Sequence, residues 1–315
     1  MAAAATPLCL TGLDAAFGAD ATTPRTDHGS ALRWLPRIYI LLQLLATGWA
    51  VLLAIRPSTT PLEFSGLALS AGVTTGVFGF VAAHEMIHSR DRRDRALGLV
   101  LLGTVLYMHF RIAHVHGHHA RAATREDPAS ARLGEGLYAF LVRSVGGQLR
   151  EAFAYEAQRR RRKGLRAFGA GNRALAYVVL EGLLLLGLAI VSWRALVFAL
   201  AVAGIAIGLL ESFNYVAHYG LTRRTERNGR LERLGPHHSW NSARRMNNAA
   251  LFNMGRHSDH HRHSARPYGE LEPLIGSAEL PSGYAAALLL ALVPPLWRRT
   301  MDARAKSVLA ARPLV

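Results

Sequence analysis

Four long stretches of apolar residues confine this chain to a membrane fold. A transmembrane helix needs about 20 mostly apolar residues to cross the hydrocarbon core of a bilayer. The stretches that approach this length are residues 38–55, 62–83, 174–192 and 195–215. They predict an all-α integral membrane protein, built as a transmembrane helix bundle with four clear spans.

Two further stretches are apolar but less clear. Residues 97–112 are short for a span. Residues 283–297 contain Pro294-Pro295, and because proline interrupts a helix, this stretch is expected at the membrane interface. If both crossed the bilayer, the bundle would have six spans.

The chain is strongly basic, with 37 Lys and Arg against 21 Asp and Glu and a formal net charge of +16. The basic residues gather near the ends of apolar stretches, at residues 33–37, 90–95, 159–163 and 223–227. Membrane proteins concentrate Lys and Arg in their cytoplasmic loops. The charge therefore indicates topology and contact with membrane lipid, not a nucleic-acid partner, and it predicts an external turn at residues 56–61.

Cys9 is the one cysteine of the sequence. A single thiol excludes an intrachain disulfide, an iron–sulfur cluster and a built-in rubredoxin. Residues 1–33 are small and polar, and we expect a disordered N-terminal tail there. A membrane-embedded domain is expected at residues 34–302, with a C-terminal tail at residues 303–315.

Nine histidines fall into four groups that predict a metal site. The groups are His84 and His88; His114, His118 and His119; His218; and His257, His260 and His261. Imidazole is the commonest side-chain metal ligand near neutral pH. Nine ligands are too many for one four-coordinate ion, so we predict two metal ions.

The spacing within these groups indicates how the ligands are shared. Two histidines four residues apart, such as His114 and His118, lie on one face of a helix and can bind one ion. Adjacent residues of a helix point about 100° apart. His118-His119 and His260-His261 can therefore each serve two ions.

The second histidine group constrains the segment that precedes it. His114 must lie on the same side of the membrane as His84 if the two belong to one site. A full crossing by residues 97–112 would separate them by about 30 Å. We therefore expect this segment to be re-entrant, interfacial or packed inside the bundle.

The other six histidines give weaker signals. They lie in the tail, inside an apolar stretch or beside the main groups: His28, His109, His116, His237, His238 and His263. We expect them to support the ligands or to lie at the surface.

Two other kinds of protein could carry such histidines. His84-Glu85-x-x-His88 is also a zinc protease motif in which the glutamate is a general base, but that motif does not require three additional histidine groups. A metal transporter should place its ionisable ligands inside its spans, whereas these histidines follow apolar stretches or lie in loops. Imidazole binds iron, copper and zinc alike, so residue type leaves the metal open.

Several motifs resemble the integral-membrane alkane hydroxylase (alkane 1-monooxygenase) family of the fatty-acid desaturase-like superfamily, over roughly residues 38–302. They are His-Glu-x-x-His at 84–88, His-x-x-x-His-His at 114–119, Glu-Asp-Pro-Ala-Ser at 126–130, Asn-Tyr-x-x-His-Tyr-Gly-Leu at 214–221, Gly-Pro-His-His-Ser-Trp-Asn at 235–241 and Arg-His-Ser-Asp-His-His at 256–261. The resemblance implies a transmembrane bundle with a cytoplasmic, histidine-rich cap that holds two iron ions.

The resemblance also implies a chemistry. The nine grouped histidines would bind two non-haem iron ions, with O2 as co-substrate. One oxygen atom would be inserted into an unactivated C–H bond, as in hydroxylation of a medium-chain alkane to a primary alcohol. Electrons would come from a rubredoxin and its NAD(P)H-dependent reductase. The alternatives within the superfamily are a fatty-acid desaturase and a xylene- or terpene-type hydroxylase.

Residues beyond the ligands are suggested by the same motifs. A metal-bound imidazole needs its second ring nitrogen oriented by a neighbour, and the candidates are Glu85, Asn214 and Asp259. Ala217 departs from the family, which often has glutamate at this position. The expected location is the inner cell membrane, as a multi-pass protein with its metal site on the cytoplasmic side.

Overall fold

Helices dominate the computed structural model, which describes residues 2–20, 22 and 32–312. The helices are α1 (Ala2–Phe17), α2 (Trp34–Ala54), α3 (Pro61–His88), α4 (Arg92–Thr104), α5 (Leu137–Arg161), α6 (Arg173–Val191), α7 (Trp193–His218), α8 (Arg245–Ala250), α9 (His257–Arg262), α10 (Tyr284–Ala291) and α11 (Pro294–Ala310). Short helical turns lie at Phe110–Ile112, Ala113–His118, His119–Arg121, Met254–Arg256 and Tyr268–Glu270. Two short strands, β1 (Trp240–Asn241) and β2 (Ala278–Glu279), pair in parallel, with Trp240 opposite Ala278.

Within the described residues, four helices are long and apolar enough to cross a membrane: α2, α3, α6 and α7. They coincide with the four predicted stretches, so the predicted bundle of four clear spans is confirmed. Of the apolar part of α6, 11% is buried in the protein. The outward face of α6 is therefore apolar, as contact with lipid requires.

The ambiguous stretch at residues 97–112 does not form one helix. Helix α4 has 13 residues, which gives a length of about 20 Å, less than the roughly 30 Å of a bilayer core. The backbone turns at Leu106, which has a positive φ of 58°. A Cβ placed on Gly98 would lie 3.0 Å from the Ala83 carbonyl oxygen. Helix α4 therefore packs directly on α3 and does not cross the membrane as a continuous helix.

The chain divides into two compact units. Among the described residues, unit 1 comprises residues 2–5, 32–117 and 148–210, and unit 2 comprises residues 6–20, 22, 118–147 and 211–312. Each unit contains part of the predicted domain at residues 34–302, because the chain passes from one unit to the other several times.

Close contact between α3 and α7 organises unit 1. A Cβ on Gly72 would lie 2.7 Å from Ile205 Cβ, and one on Gly76 would lie 2.9 Å from Ala206 Cα. Small residues at helix crossings in membranes let the backbones approach and pack. Gly76 also belongs to a π-helical turn, Thr75–Gly79, which interrupts α3 before its histidines.

Aromatic side chains with buried polar atoms organise unit 2. The Trp240 indole N–H donates to the Tyr219 carbonyl oxygen at 2.9 Å, and the Tyr284 hydroxyl donates to the Trp240 carbonyl. The Tyr215 hydroxyl donates to the Glu135 carbonyl at 2.7 Å. These bonds fasten the end of α7 to β1 and α10, and so fix the backbone beside His218.

The predictions for the two ends of the chain need correction. Residues 2–17 form helix α1, so the predicted disordered tail at residues 1–33 is wrong for this part. Residues 21 and 23–31, with His28, lie outside the described residues. The predicted C-terminal tail is also wrong for residues 303–310, because they continue α11.

Candidate metal centre

Three histidines of unit 1 converge at the end of α3. His84 and His88 lie one helical turn apart, with ring centroids separated by 4.8 Å. His84 Nε2 lies 2.8 Å from His114 Nε2, and the His88 and His114 ring centroids are 5.1 Å apart. Phe110 stacks on His114 at 4.6 Å, which fixes the orientation of that ring. We call these three residues the unit 1 triad.

Four buried histidines of unit 2 form a tighter group. The distances between Nε2 atoms are 3.2 Å for His218–His257, 3.2 Å for His218–His261 and 3.1 Å for His257–His261. The His118 ring centroid lies 4.7 Å from that of His218 and 4.8 Å from that of His261. One ligand nitrogen from each residue lies within 4.8 Å of the others. We call these four residues the unit 2 quartet.

The spacing of nitrogens in the quartet fits a bound metal ion. Adjacent ligands about 2.1 Å from a metal lie about 3.0 Å apart in an octahedron and about 3.4 Å apart in a tetrahedron. The observed 3.1 and 3.2 Å fall between these values. Hydrogen bonds alone explain the triangle poorly, because one Nε2–H can point at only one neighbour.

Burial favours the neutral, metal-binding form of an imidazole in the quartet. It lowers the pKa of His261 well below its usual value, and the neighbouring imidazoles lower it further. A neutral imidazole keeps a lone pair available for a metal. Four imidazoles in one buried place can hold a transition metal such as iron, copper or zinc.

A further pair in unit 2 lies beside the quartet in sequence. His119 Nε2 is 3.2 Å from His260 Nε2. His119 follows His118, and His260 precedes His261, yet the pair does not belong to the quartet. This separation fits the rule that adjacent helical residues point in different directions. That each double histidine serves two ions stays a prediction.

The expectation that His114 and His118 share one ion is wrong. His114 belongs to the unit 1 triad, and His118 belongs to the unit 2 quartet. The residues between them form a π-helix, Ala113–His118, in which hydrogen bonds run from residue i to i+5. The rule that residues four apart share a face applies to α-helices, and His257 and His261 in α9 do obey it.

Asp127 orients one ligand of the quartet. Its carboxylate lies 2.8 Å from His118 Nδ1, accepts a hydrogen bond from the Ser130 hydroxyl at 2.6 Å, and accepts another from the Ala129 N–H at 3.1 Å. Burial alone would raise the pKa of Asp127, but the imidazole of His118 and these hydrogen bonds lower it below the usual value. Since Nδ1 faces Asp127, Nε2 of His118 is left for a metal.

A backbone carbonyl orients a second ligand. His218 Nδ1 donates to the His238 carbonyl oxygen at 3.3 Å. The His238 ring is fixed in turn, because Nδ1 accepts from the Gly235 N–H at 2.9 Å and Nε2 lies 2.8 Å from a Glu232 oxygen. Burial lowers the pKa of His238 to about 4, despite the opposing effect of Glu232. His238 thus supports a ligand, as expected from the sequence.

Comparison with known proteins places this centre in a family. The model of the fatty acid desaturase family matches residues 58–286. Alkane 1-monooxygenase 1 of Pseudomonas aeruginosa is 43% identical over 78% of this chain and 64% of its own length. The alkane 1-monooxygenase of Acinetobacter baylyi is 37% identical over 93% of this chain and 73% of its own length. The chain belongs to the alkane 1-monooxygenase family of the fatty-acid desaturase-like superfamily.

Two further facts qualify this family relationship. The chain spans 64% and 65% of the length of the two Pseudomonas aeruginosa alkane 1-monooxygenases that it matches. The hydroxylase component of the xylene/toluene monooxygenase of Pseudomonas putida is also similar, at 30% identity over 75% of this chain.

Asp127 was missed by reasoning from the sequence. It belongs to the Glu-Asp-Pro-Ala-Ser motif at 126–130, one of the motifs that resemble the alkane 1-monooxygenase family. That resemblance was the available signal, because no helical period relates Asp127 to a histidine nine residues away.

Two of the three residues proposed to orient ligands contact other groups. The Asn214 amide donates to Glu211 at 3.3 Å. The Asp259 carboxylate accepts from Arg266 at 2.8 Å and from the Glu272 N–H at 2.9 Å, and it lies 2.9 Å from His263 Nδ1. Asp259 therefore anchors the chain that follows α9, and its role in orienting a ligand stays a prediction.

The third candidate, Glu85, lies on α3 between His84 and His88, and its role stays a prediction. Ala217 is fully buried beside His218. The weaker histidines that the structure describes lie outside the triad, the pair and the quartet; they are His109, His116, His237, His238 and His263. His116, for example, stacks on Tyr155 at 4.4 Å with nearly parallel rings.

A carboxylate within a span also supports the ligands of unit 1. Glu181 in α6 accepts a hydrogen bond from the Met108 N–H at 2.7 Å. One turn earlier, the Tyr177 hydroxyl accepts from Arg111 at 3.3 Å. Ionisable groups inside membrane spans are costly and commonly have a function. Here Glu181 fastens α6 to the segment that carries His114.

Proposed function

We propose that this chain is a membrane-bound non-haem di-iron monooxygenase that inserts one oxygen atom of O2 into an unactivated C–H bond. The substrate that we propose is a medium-chain alkane, hydroxylated at its terminal carbon to a primary alcohol. The observation that carries this proposal is a set of convergent histidine nitrogens in a chain of the alkane 1-monooxygenase family. Four of these nitrogens come within a distance that suits one ion.

The ligands that we propose are the nine histidines of the triad, the pair and the quartet. Bound iron would supply the activation of O2 and of the C–H bond. Asp127 and the His238 carbonyl hold two imidazoles in orientation. Burial of the quartet excludes water, and the apolar spans provide a route for substrate from the bilayer.

Metal analysis of the detergent-purified protein tests the ligand proposal. We expect two iron ions per chain. One zinc ion with little iron would contradict it. His118→Ala should abolish activity and lower bound iron, whereas His116→Ala should retain substantial activity because His116 stacks on Tyr155 outside the groups.

Product analysis tests the reaction. Cells that produce the protein are supplied with an alkane, a fatty acid or an alkylbenzene under labelled O2. We expect a primary alcohol from the alkane, with one labelled oxygen. An alkene would indicate a desaturase, and a benzylic alcohol with no alkane product would indicate a hydroxylase of the xylene type. The His118→Ala variant at matched expression provides the background.

The electron donor that we propose is a rubredoxin, reduced by an NAD(P)H-dependent reductase. A basic surface can steer an acidic donor. In the cluster at residues 159–163, Arg159 is held by Glu156, and Arg160 donates to the Arg166 and Ala170 carbonyls. Arg161, Arg162 and Lys163 are exposed and remain available for steering.

Turnover at limiting rubredoxin tests this proposal for the donor. Replacing the three exposed residues by glutamine should slow turnover and weaken its dependence on salt. The same replacement at three other exposed residues, Arg90, Arg92 and Arg93, serves as a control with an equal change of net charge. A rate that is independent of ionic strength would contradict the steering.

The location that we propose is the inner membrane, with the metal centre on the cytoplasmic side. In a Cys9→Ser background, single cysteines at positions 58, 120 and 243 test this arrangement. We expect an impermeant thiol reagent to label position 58 from outside and neither of the others. External labelling at position 120 would contradict the proposed sidedness.

A further inference from the structure

Asp14 of helix α1 is bound to the first turn of helix α8, more than 230 residues away in the sequence. One carboxylate oxygen accepts from the Met246 N–H at 2.9 Å and from the Asn247 N–H at 3.2 Å. The other accepts from the Asn247 side-chain amide. Asp14 is 4% exposed. A buried carboxylate that accepts three hydrogen bonds forms a strong, directional contact.

Backbone bonds extend this contact beyond α1. The Asp20 N–H donates to the Ala243 carbonyl at 2.7 Å, and the Arg245 N–H donates to the Gly18 carbonyl at 3.1 Å. Ala19 and Arg244 form an antiparallel bridge between these bonds. The contact therefore combines a short pairing of two backbone segments with the buried carboxylate of Asp14.

The segment at residues 242–248, which leads into α8, contacts the residues before helix α9. The Ser242 N–H donates to the Gly255 carbonyl at 2.8 Å, and the Asn248 amide donates to the Ser242 carbonyl at 2.9 Å. A Cβ on Gly255 would lie 2.2 Å from Asn248 Oδ1. Gly255 therefore packs directly against Asn248 with no space for a side chain, and His257 follows two residues later.

Arg256 connects the N-terminal segment to α9 directly. Its guanidinium donates to the Thr22 carbonyl at 3.0 Å and to the Leu271 carbonyl. Arg256 immediately precedes His257 and is buried. The position of His257, the first proposed ligand of α9, is thus tied to Thr22 as well as to the segment at residues 242–248.

We propose that the N-terminal segment, residues 14–20 with residue 22, is a clamp that positions helix α9 and its ligands. Helix α9 has six residues, and an isolated helix shorter than about 12 residues is marginal in water. Tertiary contacts must therefore set its place, and the clamp contributes them at its N-terminal end. Asp14 acts as a positioning residue through Met246 and Asn247. This inference rests on the proposed function for two of its readouts, iron content and hydroxylation rate.

The experiment uses Cys9 as a reporter. Cys9 is exposed on α1 and is the single cysteine of the chain, so a nitroxide attached to it reports the motion of α1. Asp14→Ala and Asp14→Asn are compared with Thr11→Val. Thr11 lies on the same helix, and its hydroxyl donates to the Pro7 carbonyl at 2.8 Å, away from the clamp. Iron per chain and hydroxylation rate are measured on the same full-length samples.

We expect Asp14→Ala to increase the mobile fraction of the nitroxide roughly tenfold, because two backbone N–H groups lose their acceptor. Bound iron and hydroxylation rate should fall with it. Asp14→Asn keeps one carbonyl oxygen as an acceptor and should be intermediate, whereas Thr11→Val should match the wild type. Trypsin should also cut the Asp14→Ala protein faster after Arg244 and Arg245.

Two results would overturn the clamp. A nitroxide that stays immobile in both Asp14 variants would show that Asp14 does not hold α1 in place. A mobile nitroxide with unchanged iron content and rate would show that α1 does not position the ligands. If the wild type itself bound no iron, the proposed function would fail instead, and nitroxide mobility with tryptic cleavage would still decide whether the clamp exists.

Discussion

Replacement of Asp127 should weaken iron binding at the unit 2 quartet. Its carboxylate contacts His118 Nδ1 at 2.8 Å and also accepts from Ser130 and Ala129. Loss of a group that orients a metal-bound imidazole typically costs roughly 10- to 100-fold in metal affinity. This range corresponds to about 1.4 to 2.7 kcal/mol. We expect Asp127→Ala near the upper end and Asp127→Asn near the lower end, because the amide oxygen still accepts one hydrogen bond.

Stability complicates the alanine variant. Asp127 is buried, and each buried donor left without an acceptor costs about 1 to 3 kcal/mol. Circular dichroism and thermal unfolding in detergent therefore accompany the affinity measurement. Asp127→Asn is the cleaner variant, since it fills the same volume.

Chelator competition on the purified protein measures the effect. Of the two iron ions that we propose, one should become easier to remove and the other should be retained. Ser130→Ala leaves the bond to His118 in place and should have a smaller effect. Glu226→Gln, at an exposed carboxylate that accepts from Asn228 at 2.8 Å, controls for the change of charge. Wild-type affinity in both Asp127 variants would refute the reasoning that this contact orients His118.

Three further predictions concern unit 1. Glu181→Ala should lower iron retention and turnover, because the Met108 N–H loses its acceptor at 2.7 Å. Glu181→Gln keeps an acceptor and should keep most of the iron and most of the turnover. Equal loss in the two variants would indicate that the negative charge itself is needed. Gly117→Ala should lower the unfolding temperature and the iron content, because its Cβ would lie 2.1 Å from Glu151 Oε1, whereas Gly187→Ala, with no atom within 4 Å, should not. Burial would raise the pKa of Glu156, but hydrogen bonds from Arg159 and Arg173 lower it from 4.5 to about 2, so its stabilising effect is present above pH 4.5 and is lost as the pH falls towards 2. As the pH falls from 4.5 towards 2, the protection of amides 156–173 from hydrogen exchange, relative to the intrinsic rate at each pH, should fall. Glu156→Gln should remove this dependence on pH.

The spans could be predicted because hydropathy and length are sufficient to identify them. Residues 62–83 became α3, Pro61–His88, and the added turn carries His84 and His88. The sharing of ligands could be predicted only where the backbone is α-helical. His257 and His261 converge as that period requires, whereas His114 and His118 diverge in a π-helix, which no apolar pattern in the sequence revealed.

The supporting contacts could not be predicted for a different reason. Asp127 meets His118 through a loop, and Asp14 meets Asn247 across 233 positions. Such pairs depend on tertiary structure and leave no local periodicity. Helix α1 was missed because its first residues are mostly alanine and give no amphipathic pattern, while the carboxylate that anchors it has a distant partner.

The π-helix Ala113–His118 carries one histidine of the triad and one of the quartet, so ordering of this backbone turn affects both groups. It supplies His114 to the unit 1 triad and, four residues later, His118 to the unit 2 quartet. The first ion to bind at either group would immobilise this turn, and the second would then bind to a backbone whose freedom is already lost. Iron loading should therefore be cooperative, with few molecules holding a single ion at half saturation, and a substitution that loosens this turn should lower the Hill coefficient along with the affinity.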